Sequence, residues 1–215
     1  MPTRALVFDF DGTLADTESA VLQSWQAVFR EYGAELPLDA WYAVIGTQHT
    51  TPAMFALLAE HAPGIDPEAL RPKTRAHVLR LLEDLGPREG VRDYLDTAKN
   101  LGIRLAVASS SSGAWVNPHL ERLGLDHYFD AVLTGDLHKA KPDPDLYLAA
   151  LAELGAAAPD AIAFEDTPHG VTAAKAAGLT CVAVPNAITR NLDFGQADVV
   201  LPSFTAKPLE ALLSR

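Results

Sequence analysis

The chain has 215 residues, 48% of them hydrophobic and 21% charged, and a formal net charge of −11. That composition fits a globular protein with one large domain, or a core domain carrying an insertion. The acidic balance argues against nucleic acid or an anionic membrane as partner, because the long-range field repels both, but local cations can still hold a small phosphorylated ligand.

The first apolar run, Ala5-Leu6-Val7-Phe8, predicts a buried parallel strand, since such strands lose the apolar/polar alternation when both faces are covered. It leads into Asp9-Phe10-Asp11-Gly12-Thr13-Leu14, with two carboxylates beside a glycine that permits a sharp turn. From Asp16 to about Leu85 the apolar residues recur at helical spacing (Val21, Leu22, Trp25, Val28, Phe29, then Trp41, Val44, Ile45 and onward to Leu82), broken at Gly33, Gly46, Gly64 and Gly86. From Gly90 strands and helices alternate. Predicted strands cover Ile103–Ala108, Ala131–Thr134, Ala161–Phe164, Leu179–Val184 and Val199–Leu201. The intervening helices run over Val91–Asn100, up to Leu123, over Pro144–Leu154 and Val171–Ala177, with a last one near Pro208–Leu213. Such alternation predicts an α/β fold, a doubly wound, Rossmann-like parallel sheet, with the helical block inserted after the first strand. The expected division is a core of residues 1–15 and 86–215 and an all-helical cap of residues 16–85. Cys181, the only cysteine, lies inside a predicted strand and reads as a buried structural thiol. No secretory leader pattern opens the sequence and no stretch is long and apolar enough to span a bilayer, so a cytoplasmic protein is expected.

Polar clusters follow four of the apolar strands on their C-terminal side, where open parallel sheets bind ligands. They are Asp9/Asp11, Ser109-Ser110-Ser111-Ser112-Gly113, Lys141-Pro142-Asp143-Pro144, and Glu165-Asp166-Thr167-Pro168-His169. Singly, each reads equally well as a helix cap or a solvated turn. Together they predict carboxylates, hydroxyls and a lysine converging on one rim. At about 4 Å and an effective dielectric near 20, each like-charge pair among Asp9, Asp11, Glu165 and Asp166 costs roughly 4 kcal/mol. The cluster therefore calls for a bound cation, and an all-oxygen set suits Mg²⁺.

At these residues the chain resembles the haloacid dehalogenase superfamily, and within it the phosphatases related to beta-phosphoglucomutase. The resemblance rests on the Asp9–Glu18 segment, Ser109, Lys141-Pro142-Asp143-Pro144 and Glu165-Asp166. It implies Asp9 as the nucleophile, Asp11 as general acid and then base, and Ser109 with the Ser110 N–H on the phosphoryl oxygens. Lys141 would neutralise charge, and Asp9, Asp11 (through its carbonyl), Asp166 and Glu165 would hold Mg²⁺. The implied activity is hydrolysis of a small phosphorylated metabolite, a sugar or polyol phosphate, by a monomer or weak homodimer. A phosphosugar mutase is the alternative, and a non-catalytic phosphometabolite-binding protein a further one. Beta-phosphoglucomutase carries a cap histidine and a phosphate-gripping arginine where this chain has Val21 and His49, which favours hydrolysis. Gly46, Gln48 and His49 are expected to form a specificity loop, and Lys73, Arg75 and His169 are further candidates for the cleft.

Overall fold

The structure is a computed structural model that describes residues 3–47 and 49–213. Among the described residues, β1 (Ala5–Phe8), β2 (Arg104–Ser109), β3 (Ala131–Thr134), β4 (Ala161–Glu165), β5 (Thr180–Ala183) and β6 (Val199–Val200) form one parallel sheet in the order β3-β2-β1-β4-β5-β6. The chain builds outward from β1 to β3, returns to the centre, and builds the other way through β4, β5 and β6. The strand order thus reverses between β1 and β4, the place where such sheets open a crevice beyond their carboxyl ends.

Side-chain size differs between the two faces of the sheet. Leu6, Phe8, Leu105, Val107, Ile162 and Phe164 point to one side, where α5 (Val91–Asn100), α6 (Gly113–Leu123) and α9 (Glu210–Leu213) pack. Phe8 and Phe164 are register partners and stack with ring centroids 4.6 Å apart; burying each stabilises the fold by about 2–3 kcal/mol. On the other side Ala5, Val7, Ala106, Ala108, Ala161 and Ala163 leave a shallow surface, on which α7 (Asp145–Leu154) and α8 (Pro168–Ala176) pack closely. Cys181 is buried there, and burial pushes its thiol above the ordinary range, as expected of an inert structural cysteine.

Between β1 and α5 the chain is helical: α1 (Thr17–Glu31), α2 (Leu38–Tyr42), α3 (Thr50–His61) and α4 (Pro67–Leu82). Asp16 caps α1 by accepting from the Ser19 N–H, and Asp66 caps α4 from Glu68 N–H, with Pro67 in its first turn. Trp25, Phe29, Trp41, Ile45, Met54, Phe55 and Leu58 give these helices a hydrophobic cluster separate from the two on the sheet. Ala20, Val78 and Leu82 form a smaller cluster with the half-buried Trp115 of α6, which closes the seam to the sheet. No helix among the described residues is long and apolar enough to cross a membrane.

Candidate active site

The carboxyl ends of β1 and β4 bring together residues that are far apart in the chain. The Asp9 N–H donates to the Phe164 carbonyl at 3.0 Å, extending the ladder one step and fixing Asp9 at the rim. Lys141 arrives from the loop after β3 and donates to Asp9 Oδ1 and to Glu165 Oε1, both at 2.5 Å, with 3% of its surface exposed. The Tyr147 hydroxyl donates to the same Glu165 oxygen at 2.5 Å, and the Asp166 N–H donates to Glu165 Oε2 at 3.2 Å. Burial works to lower the Lys141 ammonium, but Asp9 and Glu165 outweigh it and hold lysine above its usual range.

Asp9, Glu165 and Asp166 each bring a carboxylate oxygen within 4.8 Å of the others. Three buried carboxylates face one ammonium, so the cluster carries a surplus of two negative charges if all ionise. Burial drives Asp9 up, against the pull of Lys141, to about 8, and burial together with Asp9 and Glu165 lifts Asp166 well above the carboxylate range. A divalent cation removes that surplus, and an all-oxygen donor set fits a hard ion such as Mg²⁺.

Asp166 is aimed by two neutral donors: Thr13 Oγ1 at 3.2 Å on Oδ1 and Asn186 Nδ2 at 2.7 Å on Oδ2. Gly12 lies against the same carboxylate with φ +81°, and a Cβ there would collide with Asp166 and Asn186, so glycine is required for the close approach and for the turn. Arg88 ties this turn to the end of β5, donating to the carbonyls of Gly12 and Val184 at 2.7 Å and of Pro185 at 2.8 Å.

Ser109, with 1% of its surface exposed, ends β2 beside β1 and accepts from the Ser111 N–H at 3.0 Å. Ser110 Oγ accepts from the Lys141 N–H at 3.2 Å, which links the serine loop to the lysine loop. Asp11 does not join the Asp9–Lys141 pair; its carboxylate takes hydrogen bonds from Thr17, Ser111 and Trp115 instead.

These groups stand at the floor of a cavity of about 550 Å³, whose walls include Asp9, Asp11, Ser109, Ser110, Lys141 and Asp166. The helical block supplies the opposite wall, with Glu18, Val21, Trp25, Thr50, Thr51 and Arg75 among its residues. Gly46 also lines it, at φ +75°, and a Cβ there would press on Thr167. Next to it the His169 ring stands 3.2 Å from the Ile45 carbonyl, joining the first turn of α8 to the helical block. His49 is exposed at the start of α3 and is not among the residues that line the cavity. The physical reason is helical rotation: Thr50 and Thr51, one and two residues on, take the inward positions. Gln48 lies outside the described residues. Lys73 is turned away as well and pairs with Glu31 at 2.7 Å on an exposed surface, whereas Arg75 is in the wall.

Thr13, Asn186, Thr17 and Trp115 all touch the central carboxylates and were assigned no role in the expected site, and Ser111, from the expected serine cluster, touches Asp11 without having been given a role of its own. Asn186 carried a usable signal, because it follows an apolar strand on the same rim as the other clusters.

The family model for haloacid dehalogenase-like hydrolases matches residues 6–184. YhcW of Bacillus subtilis strain 168 is 39% identical, over 98% of this chain and 96% of its own length. The fructose-1-phosphate phosphatase YqaB of Escherichia coli strain K12 is 36% identical, over 83% of this chain and 95% of its own. Among solved structures, a mutant of CbbY from Rhodobacter sphaeroides in complex with xylulose-(1,5)bisphosphate superposes with a TM-score of 0.76 at 30% identity, covering 95% of both chains. The chain belongs to the haloacid dehalogenase-like hydrolases, among their phosphatases.

Proposed function

We propose that the chain is a Mg²⁺-dependent phosphatase of small phosphorylated sugars or polyols, working through a phosphorylated Asp9. The observation that carries this is the pairing of Asp9 with Lys141 at the floor of the cavity, beside Ser109 and the Asp166 carboxylate. Asp9 Oδ attacks phosphorus, the ester P–O bond breaks with its electron pair on the leaving oxygen, and Asp11 gives that oxygen a proton. Water then attacks the phosphorus of the acyl phosphate as Asp11 takes its proton, so free phosphate leaves and Asp9 is regenerated.

Lys141 offsets charge on the transferring group, and Ser109 Oγ with the Ser110 N–H orients its oxygens. Asp9, Glu165 and Asp166, with the Asp11 carbonyl, would hold Mg²⁺, which supplies further charge neutralisation at the phosphoryl group. Residues 16–85 act as a cap that covers the cavity and keeps out bulk water. The size and mixed lining of the cavity suit a phosphorylated polyhydroxy compound, the class of the fructose 1-phosphate in the name of YqaB and of the xylulose bisphosphate in complex with the CbbY mutant. Val21 in the cavity wall has no proton to move, so water rather than a second sugar hydroxyl accepts the phosphoryl group. All the residues come from one chain, so a monomer is competent.

Replacing Asp9→Asn removes the nucleophile without changing its size. Turnover of p-nitrophenyl phosphate should fall by at least about a thousandfold, with an unchanged circular dichroism spectrum. Activity near the wild-type level would overturn the assignment.

A further inference from the structure

Three side-chain donors end on the Asp11 carboxylate. Trp115 Nε1 at 2.8 Å and Thr17 Oγ1 at 2.7 Å share Oδ1, and Ser111 Oγ donates to Oδ2 at 2.6 Å. Ser109 Oγ stands 3.5 Å from the same Oδ2. The indole differs from the hydroxyls in kind. A serine or threonine can turn round and accept, but Trp Nε1–H only donates. While the indole bond stands, Oδ1 must be an acceptor, and a proton carried by Asp11 sits on Oδ2, among serines that can accept it.

Trp115 is in turn held on several sides. It lies in the first turn of α6, directly after the serine run that ends β2. Its ring meets His119 edge-on, centroids 4.4 Å apart, and packs against both the sheet core and the seam cluster of Ala20, Val78 and Leu82. The Arg75 guanidinium of α4 lies over it at 5.8 Å. A ring wedged between sheet core and helical block thus places its one polar atom on the carboxylate that has to move a proton.

We propose that Trp115 is the positioning residue of the proton-transfer step, its N–H orienting Asp11 so that Oδ2 delivers the proton to the leaving oxygen. The inference rests on the reading of Asp11 as proton donor. As the ester P–O bond breaks, the Oδ2–H proton passes to the leaving oxygen, and Asp11 is left as a carboxylate still bonded to Trp115 and Thr17. The cost of losing the indole N–H therefore depends on how badly the leaving group needs a proton.

Trp115→Phe keeps a ring for packing and for Arg75 but deletes the donor. The test compares kcat/KM, which reports the first half-reaction, on phenyl phosphate and on 2,4-dinitrophenyl phosphate, for the wild type, Trp115→Phe and Asp11→Asn. The variant should lose about tenfold or more on phenyl phosphate and less than about threefold on the dinitrophenyl ester, whose phenolate leaves unprotonated. Equal losses on both esters, or none, would overturn the role of Trp115 provided Asp11→Asn is itself sensitive to the leaving group. If Asp11→Asn shows no such sensitivity, the reading of Asp11 falls, and this proposal with it. Should the variant not fold, the indole ¹⁵N–¹H resonances of the wild type and Asp11→Ala decide. The Trp115 signal should shift while those of Trp25 and Trp41 stay, and an unmoved Trp115 signal refutes the proposal.

Discussion

Glu18 shows how strongly one residue is shaped by the floor of the cavity. It sits in the first turn of α1 with 9% of its surface exposed, and no donor reaches its carboxylate among the described residues. Burial first, then the charges of Asp11, Asp9 and Asp16, push its carboxyl up to about 8. A folded-state pKa above the unfolded value means that the folded chain binds this proton more tightly. Its contribution is intact below the unfolded pKa near 4.5 and is lost as pH rises through about 8. At pH 9 the protein carries a buried, unpaired carboxylate. Glu18→Gln removes that penalty and should raise the melting temperature by several degrees at pH 9, but by little at pH 5. Equal shifts at the two pH values would show that charge is not what the substitution relieves.

Individual loops are positioned by neighbours that lack chemistry of their own. The turn after β1 and the loop after β5 meet at Asn186, whose Nδ2 donates to Asp166 at 2.7 Å while its Oδ1 accepts from the N–H groups of Ile188 and Thr189 at 2.9 and 3.0 Å. The side chain is thus locked in its own loop before it orients the carboxylate. Asn186→Ala should weaken divalent-ion affinity by about tenfold, as measured by Mn²⁺ electron paramagnetic resonance, with a smaller loss of kcat at saturating metal. Unchanged Mn²⁺ affinity would make Asn186 a purely structural residue. The same elements mark what could be read from sequence. Apolar runs located the strands, and their C-terminal neighbours pointed to the rim, because burial on both faces and the direction of a parallel sheet leave few alternatives. A lone asparagine after β5 bears no charge, so its place behind an apolar strand was its one signal in the sequence. Trp115 gave no sign of a role at the site, because its indole is apolar except at one atom and sequence does not say where that atom points. On the helical block a step of one residue turns the side chain by about 100°, which separates His49 from Thr50, and Lys73 from Arg75 within two steps.

For the molecule as a whole, the central sheet encloses a charge imbalance that folding alone does not relieve. Asp9, at about 8, and Asp166, well above its ordinary range, both bind protons more tightly in the folded chain, burial being the largest cause for each. Their share of stability in the metal-free protein is present at acid pH and declines as pH rises from the ordinary carboxylate range towards 8. Lys141 answers part of the surplus, since it is bound to Asp9 and Glu165 together, and the net charge of −11 gives no general positive field to supply the rest. A divalent ion competes with those protons, so its effect must grow as they leave. Melting curves in EDTA should therefore shift to lower temperature between pH 5 and pH 8, and saturating Mg²⁺ should recover several degrees at pH 8 but little at pH 5. A Mg²⁺ shift of the same size at both pH values would break the link between the buried carboxylates and the metal, because competition for the same oxygens cannot be independent of protonation.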